Sequence, residues 1–329
     1  MYKRYMATLL LSLGLLTAAA ASATTTPSIS STDNAEVSAQ TTADGLPAPL
    51  SEDQKYQKWA GELWDSIDRK SGEVKLADDV ATLNVPETFY FLNTADAEKV
   101  LVNVWGNPPG QQVLGMLMPS QLTPFDAESW AVTISYEEDG YVTDEDADEI
   151  NYDDLLSQMQ QDTADASVER VKQGYEPISL VGWAATPYYD AKSHKLHWAK
   201  ELQVGDLTQH TLNYNIRMLG RKGVLVLNFI AGMDQKDQVQ ASLPEVLAMA
   251  DFDEGSKYSD FDPYLDDVAA YGIGALIAGK VIAKTGLIAI GFVFLKKFGI
   301  FIVVGMGVFL RKLFAERKQK LGQDAPTDV

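Results

Sequence analysis

An acidic segment from Glu137 to Asp154 is the densest group of chemically competent side chains in the sequence, with ten Asp or Glu residues and no Lys or Arg. Within it, Asp144, Asp146 and Asp148 have the i, i+2, i+4 spacing that begins an EF-hand calcium loop. Carboxylate oxygens on a flexible loop are ligands that hard divalent cations accept. The three aspartates are therefore a candidate site for a weakly bound divalent cation.

The rest of this loop departs from the EF-hand pattern at two positions. The sixth position is Glu149, where the sharp turn requires glycine, and the twelfth is Leu155, where a bidentate glutamate belongs. We therefore favour a solvated acidic loop that leads into a helix, whose positive N-terminal end attracts nearby aspartates. The weak cation site is the alternative, and no cofactor is predicted.

The three histidines, His194, His197 and His210, do not form a recognisable metal motif. His194 and His197 lie at the start of a predicted strand, where residues three apart point to opposite faces. A zinc site needs three or four converging ligands. The sequence also lacks the short motifs of common hydrolase, protease and nucleotide sites. A Ser-His-Asp arrangement assembled across the fold stays open, because such triads are recognised by geometry.

The elements around these residues follow strand-like and helix-like patterns. Enrichment in β-branched and aromatic residues predicts strands at 74–83, 112–118, 130–136, 178–184, 195–203, 211–218 and 224–230. Helices are predicted near 95–105, 152–173 and 235–250, with Asn151 capping the second and Gly174 ending it. Consecutive strands without intervening helices predict an α+β domain with a mainly antiparallel sheet and a few helices, followed by a C-terminal membrane helix region.

The N-terminus has the pattern of a secretory signal. Lys3 and Arg4 precede a short apolar run, and the segment ends in small residues at 21–23. We predict a cleaved signal peptide at 1–23 and, from its Thr, Ser, Ala and Pro content, a disordered linker at 24–50. The α+β domain is then predicted at 51–260, outside the cytoplasm.

The C-terminal region is predicted to anchor this domain in a membrane over 262–315. Asp262 and Pro263 have the pattern of a helix start. The segment 285–310 is long enough to cross a bilayer core of about 30 Å, with a crossing at 271–295 or a hairpin as alternatives. A basic cluster beginning at Arg311 fits a cytoplasmic face. The tail at 316–329 is accordingly predicted to be cytoplasmic.

Small residues recur in the predicted anchor at Ala275, Gly279 and Ala283. On a continuous helix they would form a stripe that allows close approach of another helix in lipid. The predicted partners are thus the membrane lipid bilayer and either a second copy of the chain or another envelope protein.

Composition limits the classes of function. With 46% hydrophobic and 22% charged residues the chain is globular, and without cysteine it has no disulfide or thiolate site. The net charge is −19. Residues 280–329 carry nine Lys or Arg against three acidic residues, a net +6, which leaves −25 for the rest. A body this acidic repels phosphate backbones, so nucleic-acid binding is excluded.

Several short segments carry a resemblance when they are taken in their order along the chain: 106–108, 113–119, 130, 138–142, 144–147, 182–183, 187–190, 198–199, 212–214, 219–221 and 271–272. Together they resemble one bacterial family, known as domain of unknown function 2167. The resemblance implies a membrane-anchored protein with a signal peptide, an outside domain and a C-terminal anchor. It implies no catalytic residues, because none are assigned to that family.

Two classes of function fit these observations. The favoured one is a non-catalytic envelope component that binds a partner protein or cell-wall material, located in a cell membrane (the inner membrane of a bacterium) with its main domain in the periplasm. The alternative is an envelope hydrolase that uses Asp/Glu chemistry. A cleft with two carboxyl groups at glycosidase separation would favour the hydrolase.

Overall fold

A computed structural model of the chain describes residues 50–76 and 79–279. The strands are β1 (Gly72–Leu76), β2 (Ala81–Val85), β3 (Phe89–Asn93), β4 (Gly115–Pro119), β5 (Ala131–Glu137), β6 (Tyr141–Thr143), β7 (Ile178–Asp190), β8 (Lys195–Val204), β9 (Thr211–Leu219), β10 (Val224–Gly232), β11 (Ala250–Phe252) and β12 (Val268–Gly272). The helices are α1 (Glu52–Asp65), α2 (Thr94–Glu98) continued by a π-helical turn (Lys99–Val104), α3 (Tyr152–Lys172), α4 (Lys236–Met249) and α5 (Ile273–Ala278), with short 3₁₀ turns at Ala147–Glu149, Met233–Gln235 and Tyr258–Asp260.

Seven strands form the central sheet, in the order β3-β4-β5-β10-β9-β8-β7. All six pairs of neighbouring strands in this sheet run antiparallel. A three-stranded sheet β1-β2-β11 and a parallel pair β12-β6 complete the strands of the described part. The predicted α+β class with a mainly antiparallel sheet is confirmed.

Both faces of the central sheet are covered. One face packs against the β1-β2-β11 sheet and α4, through a buried cluster that includes Leu83, Phe229 and Val246. The opposite face has two separate covers. The π-helical turn packs on the β3-β4-β5 side, while α3, β6 and α5 pack on the β8-β9-β10 side. We call this second face the helical face.

Three elements near the N-terminus differ from the predictions. The single strand predicted at 74–83 is two strands, β1 and β2, which pair antiparallel with Leu76 opposite Ala81. The turn between them contains Asp79 at φ 65°, a left-handed conformation that aspartate tolerates better than most residues. Helix α1 and strand β3 were not predicted.

The start of the predicted membrane anchor also differs. Asp262 and Pro263 do not begin a helix. The amides of Leu265 and Asp266 donate to the carbonyl of Asp262 in a single turn, and the chain then enters β12. Residues 262–279 therefore belong to the folded body, because Ile273, Leu276 and Ile277 are buried in the cluster beneath α3.

Residues 271–279, the first part of the alternative crossing at 271–295, do not form one continuous helix, and residues 280–295 lie outside the described residues. The first part finishes β12 and forms α5, which ends at Gly279 in the left-handed conformation with φ 78°. Across residues 50–76 and 79–279, no helix is both long and apolar enough to span a membrane. The predicted signal peptide at 1–23, the linker up to residue 49, the crossing at 285–310 and the tail at 316–329 lie outside the described residues.

Candidate functional site

The three aspartates predicted as a weak cation site have separate roles in the structure. Asp146 accepts hydrogen bonds from the amides of Ile273, at 2.9 Å, and Gly274, at 3.2 Å, and so caps α5. Asp144 accepts the phenol of Tyr189 at 2.8 Å. Asp148 is exposed. In the part of the chain that the structure describes, no three His, Asp or Glu side chains are grouped to hold a metal ion.

Around Asp144 lies a small cluster that fastens the β7–β8 turn to the acidic loop. The Tyr189 hydroxyl is 3.0 Å from Nδ1 of His194, and the His194 ring stacks on Tyr258 at 4.1 Å. Burial, strengthened by the neighbouring Asp144 carboxylate, raises the pKa of Tyr189 far above its usual value. The phenol therefore stays protonated and acts as a hydrogen-bond donor that joins two loops.

The other two histidines are elsewhere. His197 is buried on the opposite face of the sheet, stacked on Tyr188 at 4.7 Å. Burial, with a smaller contribution from the charge of Lys195, lowers the pKa of His197 to about 4, so its ring is neutral at neutral pH. His210 contacts the carboxylate of Glu201. The structure thus places the three histidines at three separate sites.

The three small residues of the predicted membrane-helix stripe are divided as well. Ala275 is buried within α5, and Gly279 ends that helix. Ala283 lies outside the described residues. A helix face containing all three would need a helix that continues through Gly279, and their packing against a second helix stays a prediction.

The most unusual chemistry is a band of polar side chains in the middle of the helical face. The strand register places residues of neighbouring strands opposite one another, in rows that run across the sheet. In one row Asn215 lies between Trp198 and Asn228, and Thr133 of β5 lies on the other side of Asn228. Lys200 is opposite Asn213 in the next row. We define the polar band as the six buried residues Thr133 (2% exposed), Lys200 (7%), Asn213 (0%), Asn215 (1%), Arg217 (7%) and Asn228 (3%).

The three asparagines of the polar band form a directional chain of hydrogen bonds. Asn215 Nδ2 donates to the carbonyl and the side-chain oxygen of Asn213, at 2.9 and 3.1 Å. Asn213 Nδ2 then donates to Asn228 Oδ1 at 2.9 Å. The chain ends at Asn228 Nδ2, which is buried and has no acceptor within the described residues. The amides therefore leave a donor unused in the interior.

Two cations lie in the same band. Lys200 forms no hydrogen bond or ion pair with any residue in 50–76 or 79–279. Burial, with a smaller contribution from the charge of Arg217, lowers the pKa of Lys200 to about 7. Arg217 lies over the Trp198 ring at 5.0 Å, and burial lowers the pKa of its guanidinium despite the opposing charge of Glu137.

Burying an ammonium group beside a guanidinium is unfavourable, because desolvation and like-charge repulsion act in the same direction. Buried charges in proteins are normally paired or serve a site. The polar band lies between two apolar covers of the helical face, so its composition does not arise from an exposed surface. We therefore take it as the candidate functional site.

Sequence reasoning missed this band. Strand β9 alternates polar residues with the apolar residues Leu212, Tyr214, Ile216 and Met218. Such alternation normally indicates one face in the core and one in water. A lysine and an arginine are tolerated without penalty on an exposed face, so the pattern gave no reason to expect a buried one. Only the length of the flanking strands could have suggested that all nine residues of β9 are buried.

Several solved structures are similar to the chain. Three of them are the PsbP protein CyanoP of Synechocystis sp. PCC 6803 (14% identity, 57% of this chain, 92% of that chain, TM-score 0.31), a mutant of protein Mog1 (12%, 56%, 95%, 0.27) and the Ran-binding protein Mog1p of Saccharomyces cerevisiae (11%, 60%, 100%, 0.23). At these TM-scores none of the three bears on the function of this chain. No curated protein matches its sequence.

One protein family does match, and it does so over a long stretch. The match covers residues 68–307, from the segment before β1 through the described C-terminal elements and beyond them. This is more than half of the 329 residues. The chain therefore belongs to the family described as protein of unknown function, DUF2167.

Proposed function

We propose that the protein is a non-catalytic, membrane-tethered component of the cell envelope whose body, outside the cytoplasm, binds a ligand at the polar band. The observation that carries this proposal is the buried Lys200, which has no hydrogen-bond or ion-pair partner in the described chain. Buried polar groups in proteins are normally hydrogen-bonded, so the unsatisfied donors of this network need a partner from outside the chain, and we propose that a ligand supplies it.

The placement in the envelope has its own support. The N-terminal signal pattern and the basic cluster after 310 agree on one orientation. The acidic body is also typical of a domain kept away from anionic lipid headgroups.

Binding is favoured over hydrolysis by the state of the carboxylates. Glycoside hydrolysis with Asp/Glu chemistry uses two carboxyl groups on either side of one bond. Asp146 is committed to the end of α5, and Asp144 is committed to Tyr189. These two carboxylates of the acidic loop are thus used to hold the fold together.

Thermal unfolding of the full-length protein in detergent tests the proposal. Two probes are the small-molecule fraction of the envelope and soluble fragments released by cell-wall digestion. We expect at least one to raise the Tm of the wild type and to leave the Asn228→Asp variant unchanged. That variant keeps the acceptor for Asn213 and is nearly isosteric, so it should fold.

A control outside the polar band is Lys195→Met, at a half-exposed lysine of β8, which should respond as the wild type does. If neither fraction changes the Tm of the wild type, the polar band is not a binding site and the proposal fails.

A further inference from the structure

We infer that the ligand group held in the polar band is an anion, a carboxylate or a phosphoryl group, neutralised jointly by Lys200 and Arg217. This inference rests on the proposed binding function and specifies its ligand. Three features of the band carry it: its balance of donors and acceptors, its charge, and the geometry of the two cations.

The band has more donors than acceptors. Two side-chain nitrogens on this face, Asn228 Nδ2 and Trp198 Nε1, are fully buried without a partner among the described residues, and both are donors. The Lys200 ammonium adds three further donors. The missing partner must therefore be an acceptor, and a ligand that donates would leave the imbalance in place.

The two charged residues of the band are both cations, and the charge of Glu137 opposes that of Arg217 but not that of Lys200. The ion pairs of the described chain use other lysines and arginines, such as Lys99 with Asp96 and Arg221 with Asp266. Lys200 has no carboxylate partner in that set, and its strongest charged neighbour is Arg217, another cation. An anion placed between them would offset both the desolvation and the repulsion.

Lys200 and Arg217 lie on the same face of the sheet, with the pair Trp198 and Asn215 between them along the strands. Lys200 lies opposite Asn213 on the adjacent strand, and Arg217 lies four residues further along β9 on the same face. Arg217 is held against Trp198, which fixes the plane of its guanidinium. A planar guanidinium binds two oxygens of a carboxylate or phosphoryl group, and a lysine adds a point charge.

The test uses the full-length protein in detergent at constant ionic strength. The probes are acetate and succinate for carboxylates, sulfate as a phosphoryl mimic, and chloride as the reference. Their charges are constant across the neutral to mildly alkaline range. We expect succinate, sulfate or both to raise the Tm of the wild type, and the probe that acts identifies the source of the anion.

The pH dependence gives a second readout. Since an anion favours the charged ammonium, binding should take up a proton at pH values above about 7, where the free Lys200 is losing its charge. The affinity should fall about tenfold per pH unit above that value. Calorimetry in two buffers of different ionisation enthalpy measures the uptake directly.

Variants separate this inference from the proposed function. Lys200→Met and Asn228→Asp should both lose the anion response, and Lys195→Met, on the same strand but half-exposed, should keep it. Asn228→Asp answers the question even if Lys200→Met does not fold.

The inference is overturned if envelope fractions stabilise the wild type while no anion does, in which case the band binds a neutral ligand and the proposed function stands. It is also overturned if Lys200→Met and the wild type respond equally to anions. If neither envelope fractions nor anions have an effect, the proposed function fails with it.

Discussion

Lys200 has an ammonium group that no residue of the described chain accepts a hydrogen bond from or pairs with. Its side chain is 7% exposed, and burial lowers its pKa to about 7 from the ordinary 10.5. The folded protein therefore binds a proton at this residue more weakly than the unfolded chain does. Below about pH 7 both states carry the charge, and the folded state bears the full desolvation penalty.

We predict from this that Lys200→Met stabilises the ligand-free protein, and more so at low pH. The penalty is fully present below the folded pKa of about 7 and disappears as the pH rises toward the unfolded value. The gain in unfolding free energy over the wild type should shrink by roughly 3 kcal/mol between about pH 6.5 and about pH 9.5. Urea unfolding at a series of pH values measures it.

Comparing the variant with the wild type at each pH cancels the titration of the other groups. Lys195→Met, at a half-exposed lysine of the same strand, should stay within about 0.5 kcal/mol of the wild type throughout. A difference between Lys200→Met and the wild type that does not change with pH would mean that Lys200 is not held in a charge-opposing environment.

Sequence reasoning at this scale succeeded for residues whose role is local. Asn151 caps α3 by accepting from the amides of Asp153 and Asp154, and Gly174 follows the helix with φ 87°. It failed for the polar band and for Asp146, because the partner of Asp146 is 127 residues away along the chain. Spacing within a segment carries no information about such a partner.

At the scale of elements, α5 depends on a cap from a distant loop. The helix has only six residues, and its N-cap residue is Gly272, which has no side chain to accept a hydrogen bond. The carboxylate of Asp146 replaces that cap. A Cβ on Gly272 would lie 2.4 Å from Asp146 Oδ1, so glycine is required for the carboxylate to reach the helix.

We predict that Asp146→Ala lowers the unfolding free energy by about 1–2 kcal/mol, because two charge-assisted hydrogen bonds to backbone amides are lost. Asp148→Ala, two residues away in the same loop and exposed, should change it by less than about 0.5 kcal/mol. Hydrogen exchange should show faster exchange at Ile273 and Gly274 in Asp146→Ala alone.

Gly272→Ala tests the same contact from the other side and should resemble Asp146→Ala. Its control is Gly182→Ala, where a Cβ would meet no atom within 4 Å. If Asp146→Ala and Asp148→Ala changed the unfolding free energy equally, Asp146 would not cap α5, and the solvated loop predicted from the sequence would be the better description.

The elements that were predicted have a composition that is distinctive over many residues, whereas α1 was signalled only by a short capping motif. Strands β8, β9 and β10 each combine β-branched and aromatic residues over nine or ten positions, and their predicted bounds agree with the structure within a few residues. Helix α1 was missed although Ser51 and Gln54 form a capping box at its start. That signal was available at the first residues of the predicted domain, directly after the predicted linker.

At the scale of the whole molecule, the folded body extends further than predicted. Strand β12 pairs with β6, and α5 buries Ile273, Leu276 and Ile277 against α3. The apolar character of this stretch suggested membrane, yet it is explained by burial inside the protein. Short apolar runs cannot be assigned from hydropathy alone, because a buried element and the start of a membrane span have the same composition.

This boundary changes how the topology of the chain should be tested. We predict that reporters fused after Gly279 are active only outside the cytoplasm, and reporters fused after Val329 only inside. The signal pattern at 1–23 would export the body, one crossing near 285–310 would follow, and the basic cluster beginning at Arg311 would stay in the cytoplasm.

A fusion after residue 260 is the informative comparison. It removes β12 and α5, exposing the apolar cluster that they cover, so it should be exported like the Gly279 fusion but degraded faster in pulse-chase. A reporter after Val329 that is active outside the cytoplasm would replace the single crossing with a hairpin. Equal lifetimes of the 260 and 279 fusions would mean that β12 and α5 contribute little to the body.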